Sequence, residues 1–419
     1  MNYTIGRIVA KPNMAKAEIS MQHSDLVIIG GGIVGLATGY RFLERFPGKT
    51  ITVLEKEVEV ARHQTGRNSG VLHSGVYYRP GSLRALNCRT GKQAMEDFCR
   101  QQELPFDLCG KVIVAVEDCE LPQIEKIMAN GRANGVRCER IEAARLRELE
   151  PHCAGITAVH VPEAGIVDYA QVARRLAELI ESQGSHIVTR ARAKAIRRDA
   201  GQAIVETSAG EFAAQQVVNC AGLYSDRVAR LSGIRPSARI LPFRGEFYKL
   251  RPEAQHLVRG LVYPVADPEF PFLGVHFTKV IHGGVECGPN AVLALAREGY
   301  RWTDVNPRDI SEWLSYGGFW RMAARYWRIG FEEMWRSLSK RAFVRALQRL
   351  LPEIESQQLE WTPAGVRAQA VNPAGDIVDD FVIDETDRVV NVENAPSPAA
   401  TAALNIGRLV VDRLAPRFS

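Results

Sequence analysis

Asp25-Leu-Val-Ile-Ile-Gly-Gly-Gly-Ile-Val-Gly-Leu36 is the stretch whose reading decides the fold. Its apolar residues Leu26 to Ile29 form a short buried-strand pattern that runs straight into a glycine turn, then into a helical stretch ending near Phe46, before Pro47-Gly48. Thr50-Ile-Thr-Val-Leu-Glu55 reads as a second parallel strand with an acidic end, 20 residues after Gly35. Strand, glycine turn, helix and terminal acid at this spacing match the dinucleotide-binding fingerprint. Gly30 permits the tight turn, Gly32 lets the backbone approach a pyrophosphate, and Gly35 lets the helix pack closely on the strand. The helix N-terminus, at Ile33 and Val34, offers unpaired N–H groups to the anion. Glu55 is placed to accept hydrogen bonds from an adenosine ribose, and its charge disfavours a 2′-phosphate, so NADP is the poorer ligand. The fingerprint does not separate NAD from FAD.

The rest of the composition sets bounds. The chain has 419 residues, 46% hydrophobic and 24% charged, which excludes disorder, collagen and coiled coil and suits two or three domains enclosing a cofactor. Lys plus Arg (53) against Asp plus Glu (48) leaves a net charge of +5, too small over this length to argue for nucleic acid. The eight cysteines contain no C-x-x-C pair and read as reduced and structural. Leu26 to Tyr40, at 15 residues, is too short for a spanning helix. Residues 1–23 carry Arg7, Lys11 and Lys16 without an apolar run, so they read as an N-terminal extension rather than a secretory signal, and a cytoplasmic location is expected.

Three further segments narrow the cofactor. Arg62 to Tyr78 is a loop dense in hydrogen-bonding side chains and glycines, too long and polar for an ordinary connection, and loops of this kind usually bind something. Gln216-Val-Val-Asn-Cys-Ala-Gly222 is another buried strand ending in small residues, followed by a helix from Ser225-Asp226 through Leu231. Asn394-Ala-Pro-Ser-Pro-Ala-Ala-Thr401 runs into an apolar helix, Ala402 to Leu414, whose N-terminus can face a ligand.

Together these segments resemble the flavoprotein oxidoreductase family of D-amino-acid oxidase, glycine oxidase and glycerol-3-phosphate dehydrogenase. Within it the chain is most similar to the L-2-hydroxyglutarate dehydrogenase/oxidase family. The resemblance is carried by HQTGRNSGVLHSGVYYRPGSL (63–83), VVNCAGLYSDRVA (217–229), PFRGEFYKL (242–250), YPVADPEFPFLGVHFT (263–278) and NAPSPAATAAL (394–404). It implies an α/β fold. A Rossmann-like FAD-binding domain is assembled from 24–75, 155–235 and 360–415. A discontinuous α+β substrate domain, 76–154 and 236–359, holds a β-sheet and a helical insertion at 300–350. Local patterns agree: Asp168 caps a helix reaching Gly184, and residues 186 to 222 alternate β-rich runs with turns as a meander does.

The same resemblance implies which residues hold FAD. Besides the fingerprint these are Lys56 and, in the long loop, Thr65, Arg67, Asn68, Ser69 and Gly70. They continue with Ala193, then Cys220, Ala221 and Gly222, then Asn394, Pro396, Ser397, Pro398 and Ala399. Arg67 stands where some relatives place a flavin-linked histidine, so the FAD is expected to be noncovalent.

Oxidation of a 2-hydroxy acid by FAD needs the C2 hydrogen aimed at flavin N5, a base for the hydroxyl proton and cations for the carboxylates. Of nine histidines, His73 in the flavin loop and His276 in the GVHFT strand are the candidate bases. A dicarboxylate has two anionic ends, for which bidentate Arg is best, so Arg244 in PFRGEF is the leading substrate residue, with Tyr263, Lys279 and Arg84 behind it. His276, His282, Glu286 and Cys287 do not fall on one face of a strand, so no metal site is expected. The expected reaction is L-2-hydroxyglutarate to 2-oxoglutarate, with electrons passed to a quinone or oxygen. A related flavoenzyme oxidising an amino acid or another 2-hydroxy acid and a non-catalytic dinucleotide-fold protein attached to membrane remain alternatives.

One anomaly is left over. Five of the six tryptophans (302, 313, 320, 327, 335) fall in one segment, and residues 320 to 350 hold eight Lys or Arg against two Glu. At about 100° per residue, Trp320 and Trp327 share one side of a helix while Arg321, Arg325 and Arg328 occupy another. Such a helix can lie on an anionic bilayer, which predicts peripheral association with the inner membrane and access to a membrane quinone.

Overall fold

A computed structural model describes residues 21–199, 201–266 and 274–418. Residues 1–20 of the expected extension, and 267–273 of the quoted block 263–278, lie outside the described residues.

The opening stretch folds as its pattern requires. The strand Gln22–Ile29 begins two residues earlier than the expected boundary at 24 and ends in the glycine turn; the helix Ile33–Arg45 follows, then the strand Ile51–Leu54. These strands pair in parallel, with Leu26 opposite Ile51 and Ile29 opposite Leu54. Three more segments extend the parallel sheet, giving the order His186–Val188, Ile51–Leu54, Gln22–Ile29, Glu211–Asn219, Val389–Asn394. The expected meander is present as the antiparallel strands Ala193–Asp199 and Gln202–Thr207 joined to Glu211–Asn219. The helix Tyr169–Ser182 opens on Asp168, whose side chain accepts from the Ala170 and Gln171 N–H groups, and it buries Val172, Leu176 and Ile180. With Ile33–Arg45 and Ala399–Leu414 it covers one face of the sheet in a continuous apolar layer.

A second sheet of nine strands forms the other unit. Its long hairpin-like pair is Arg239–Leu250 against Leu359–Val371, and it continues through Val285–Gly288, His276–Lys279, Leu261–Pro264, Lys111–Ala115 and Thr157–Val161. Two of these strands correct the expected domain boundaries. Thr157–Val161 and Leu359–Val371 fall in segments assigned to the FAD domain, yet they hydrogen-bond in the second sheet. The chain therefore crosses from one sheet to the other after Val161 and after Val371, so FAD-side wall and substrate-side wall are joined by short connections. The expected helical insertion is present as Pro307–Leu314, Gly317–Leu338 and Lys340–Gln348. Its middle helix kinks at Tyr326, where φ is −112° and ψ is 18°.

Candidate active site

Between the two sheets runs a cavity of about 1110 Å³. That is above the range of roughly 300–1,000 Å³ usual for small-ligand pockets. It begins at the glycine turn. Gly30 has φ +117°, and a Cβ there would run into the Cys220 carbonyl oxygen, while one at Gly35 would run into the Gly30 carbonyl oxygen. Both glycines are thus required for the strand ends and the helix to meet. Thr65 Oγ1 accepts from the Ile33 N–H (3.0 Å), which ties the long polar loop to the helix N-terminus. Glu55 is buried at the far end of the turn and accepts from the Gly31 and Glu57 N–H groups (2.8 and 2.9 Å). Each carboxylate oxygen keeps a lone pair for a ribose hydroxyl. Lys56 pairs with Glu57 and Glu298 and lies 2.8 Å from His63 Nε2, so an ammonium already occupies the middle of the cluster of Glu57, His63 and Glu298.

Of the residues expected to hold the cofactor, Gly30, Gly32, Ile33, Val34, Glu55, Lys56, Thr65, Arg67, Asn68, Ser69, Ala193, Cys220, Ala221, Gly222, Asn394, Pro396, Ser397, Pro398 and Ala399 all line this cavity. Gly35 lies beneath the turn, and Gly70 is corrected to a loop-shaping role. The Gly70 φ of +66° and its bonds to Asn68 Oδ1 and the Val167 N–H hold the loop's shape. Arg67 stacks on Tyr300 (4.1 Å to the ring centre) and donates to the Ala364 carbonyl. The loop and the C-terminal helix are stitched together by Thr401, whose hydroxyl accepts from the His73 N–H (3.2 Å) and meets Tyr169 Oη (2.7 Å).

The end of the cavity beside that stitch gathers polar and basic side chains. His73, Tyr77, Arg84, Tyr263, His276 and Arg367 line it. His276 Nδ1 lies 2.8 Å from the Gly274 carbonyl, which fixes the Nδ1–H tautomer and leaves Nε2 as acceptor. Its ring lies 3.9 Å from that of Tyr263. Burial pushes its pKa down to about 3, with Lys111 and Arg367 adding to the effect. Burial, then Lys111 and Arg84, also hold His73 well below the ordinary histidine value. Both imidazoles are therefore neutral at pH 7. The buried Tyr77 hydroxyl has no protein hydrogen-bond partner among the described residues and is free for a ligand. Arg84 donates to the Ser397 carbonyl (2.6 Å).

Two expected substrate residues are elsewhere. Arg244 is buried but off the cavity wall, ion-paired with Glu246 (3.1 Å) and stacked on Trp302 (4.2 Å). Lys279 pairs with Asp107 (2.8 Å) outside the cavity, because three residues along a strand is an odd step that turns it away from the His276 face. Arg367, a cation outside the expected set, lines the cavity instead. Its guanidinium lies over Gly245, where a Cβ would sit 3.2 Å from Nη1, and it donates to the Asn290 carbonyl (3.2 Å). In PFRGEF the glycine makes room for the cation on the neighbouring strand; the arginine faces away. Burial lowers the Arg367 pKa to about 10, opposed by Glu333, so it stays charged. The signal for it was present as an arginine two residues after Gly365, the one basic residue of the strand Leu359–Val371.

Comparison with known proteins places this geometry. A family model described as FAD dependent oxidoreductase matches residues 25–413. The chain is 47% identical to an L-2-hydroxyglutarate dehydrogenase of Indibacter alkaliphilus over 94% of this chain and 99% of that one. It is 42% identical to the Escherichia coli (strain K12) L-2-hydroxyglutarate dehydrogenase over 93% of each chain. Among solved structures, an FAD-bound L-alpha-glycerophosphate oxidase from Mycoplasma pneumoniae has a TM-score of 0.76 at 21% identity, covering 94% of this chain and 95% of that one. Glycine oxidase from Geobacillus kaustophilus has 0.70 at 18%, covering 95% and 98%.

Proposed function

The chain belongs to the L-2-hydroxyglutarate dehydrogenase family of FAD-dependent oxidoreductases, and from that premise we propose how this cavity oxidises L-2-hydroxyglutarate to 2-oxoglutarate. The observation that carries the reading is the meeting of two neutral imidazoles, a tyrosine hydroxyl with no partner among the described residues and a buried guanidinium at one end of a cavity that begins at the glycine turn. The cradle from Gly30 to Glu55, the loop from Thr65 to Ser69 and the turn from Asn394 to Ala399 would hold FAD, which when bound supplies the acceptor for the hydride leaving C2.

The chain's own residues do the rest. Arg367 offers a planar fork to one carboxylate, and Tyr77 Oη donates to an oxygen of the substrate. His276 Nε2 takes the hydroxyl proton; its neutral state makes it an acceptor, and a bound dianion beside it raises its proton affinity in the complex. His73 stands next to it as a second polar group of the same wall. Incubation with L-2-hydroxyglutarate and an electron acceptor should yield 2-oxoglutarate. Ammonia formed from an amino acid, with no 2-oxoglutarate from the hydroxy acid, would overturn the reading.

The cofactor is held without a covalent bond, since position 67 is an arginine engaged with Tyr300 and Ala364. Acid precipitation is expected to release the yellow colour into the supernatant; colour retained in the pellet would contradict this.

The electron acceptor is a quinone reached at an anionic lipid surface. No helix among the described residues is long and apolar enough to cross a membrane. The kinked helix Gly317–Leu338 instead exposes Trp327, Phe331, Trp335 and Leu338, spaced along one side, with Trp320 before the kink. Arg328 stacks beside Trp327, while Arg321 and Arg325 are drawn onto the Pro373 carbonyl and Asp376. An aromatic row flanked by arginine fits headgroup depth on an anionic bilayer. Co-sedimentation with anionic liposomes, weakened by salt, and quinone reduction are expected. Protein left in the supernatant at low and high salt, with electrons passing only to oxygen, would end this reading.

A further inference from the structure

Lys111 is a buried charge that takes no part in the proposed reaction. It opens the strand Lys111–Ala115, which lies inside the second sheet between Leu261–Pro264 and Thr157–Val161. Its side chain takes the apolar register of Ile113 and Ala115 and is 2% exposed. Buried charges are ordinarily paired. Among the described residues no carboxylate acts on Lys111, and the thiols near it, Cys88 and Cys109, are held neutral by burial. The ammonium lies 4.0 Å from the centre of the Tyr263 ring and 5.8 Å from that of Tyr77. Both rings line the polar and basic end of the cavity, and Tyr263 carries His276 against it. The field of Lys111 reaches the cavity wall, because it acts on both His73 and His276.

We propose that Lys111 is a positioning residue for substrate charge: from behind the Tyr77 and Tyr263 wall its ammonium attracts a dianion and so favours a 2-hydroxy dicarboxylate over a monocarboxylate. The inference rests on the dicarboxylate reading above. Lys111 makes no contact with the cavity and acts through the two aromatic rings, whose faces are attracted to a cation and whose positions it fixes. Coulomb attraction scales with ligand charge, so its loss weakens a dianion more than a monoanion.

The neighbouring groups make the titration readable. Burial lowers the Lys111 pKa to about 8. Cys88 and Cys109 are pushed up to about 12 and 11, and Tyr77 and Tyr263 are raised, so these stay neutral there. His73 and His276 are depressed and already neutral, while Arg367 remains a cation. The sign follows: Lys111 is charged below about pH 8 and neutral above it, so dicarboxylate affinity falls as pH rises through that value.

The test is binding of glutarate and of butyrate to the FAD-loaded protein, read as perturbation of the flavin spectrum without turnover. In the wild type the glutarate Kd should rise above about pH 8. Lys111→Met, with normal flavin content, should weaken glutarate by about 10- to 100-fold at pH 7 and butyrate by less. Lys111→Arg should recover glutarate binding and abolish the rise at alkaline pH. An unchanged glutarate Kd in Lys111→Met, or a flat wild-type profile through pH 9, overturns the inference and leaves the substrate class standing. A wild type that prefers butyrate to glutarate overturns the dicarboxylate reading and this inference with it.

Discussion

His276→Ala is expected to lower kcat/KM for L-2-hydroxyglutarate by about 10²–10⁴-fold while the protein keeps its flavin. The size follows from the role. The Gly274 carbonyl fixes the tautomer, Tyr263 fixes the ring, and Nε2 is left as the acceptor on a buried side chain. Alanine removes the acceptor and leaves the glycine turn and Glu55, which belong to the other sheet, untouched. The fall should appear in kcat as well as in kcat/KM, because proton removal belongs to the transition state rather than to substrate binding. His73→Ala should be milder, since its imidazole makes no hydrogen bond that fixes its tautomer among the described residues. Stopped-flow measurement of flavin reduction in the two variants checks this. If His73→Ala has the larger effect, the acceptor is His73; if both reduce at the wild-type rate with flavin bound, neither histidine is the base.

Arg367→Met should act the other way round, raising KM for L-2-hydroxyglutarate by roughly 30- to 1,000-fold with a smaller change in kcat. A carboxylate that loses a buried guanidinium is left desolvated with one donor set missing. Glu333, which faces Arg367, keeps Arg336 as a partner, so the substitution does not strand a buried carboxylate. Arg367→Lys keeps the charge but not the planar fork and should fall between. Arg244→Lys is the control: its guanidinium serves Glu246 and Trp302, so thermal stability should drop while KM holds. A wild-type KM in Arg367→Met would remove Arg367 from the substrate site.

The contrast between Arg244 and Arg367 shows where the sequence is readable and where it is not. The FAD side was legible because its constraints are local. A glycine turn, a helix N-terminus and an acid at the end of the next strand stand within one βαβ unit, and each residue type has a single physical reason to be there. The loop at 63–83 was legible for a similar reason, since its glycines and hydrogen-bonding side chains cannot form a core. The substrate side depends on which strands become neighbours. Arg367 reaches the cavity only because Leu359–Val371 pairs with Arg239–Leu250 and places it over Gly245, a relation 122 residues apart in sequence. A lysine opening a strand, as Lys111 does, looks like an exposed strand end until Leu261–Pro264 and Thr157–Val161 close around it. Lys279 was misplaced by a simpler error of register, because it and His276 are an odd number of residues apart. The segments that begin at 155 and 360 show the same nonlocal dependence: two strands flanking FAD-side segments find their partners in the other sheet.

The central claim is that this cavity, with FAD in it, removes a hydride and a proton from an L-2-hydroxy dicarboxylate. Anaerobic titration of the yellow protein with L-2-hydroxyglutarate, D-2-hydroxyglutarate and L-glutamate tests that claim without an electron acceptor to complicate it. Full bleaching at one equivalent of the L-hydroxy acid, with the other two leaving the spectrum oxidised, is the predicted result; bleaching by L-glutamate in its place, or by none of the three, would contradict it.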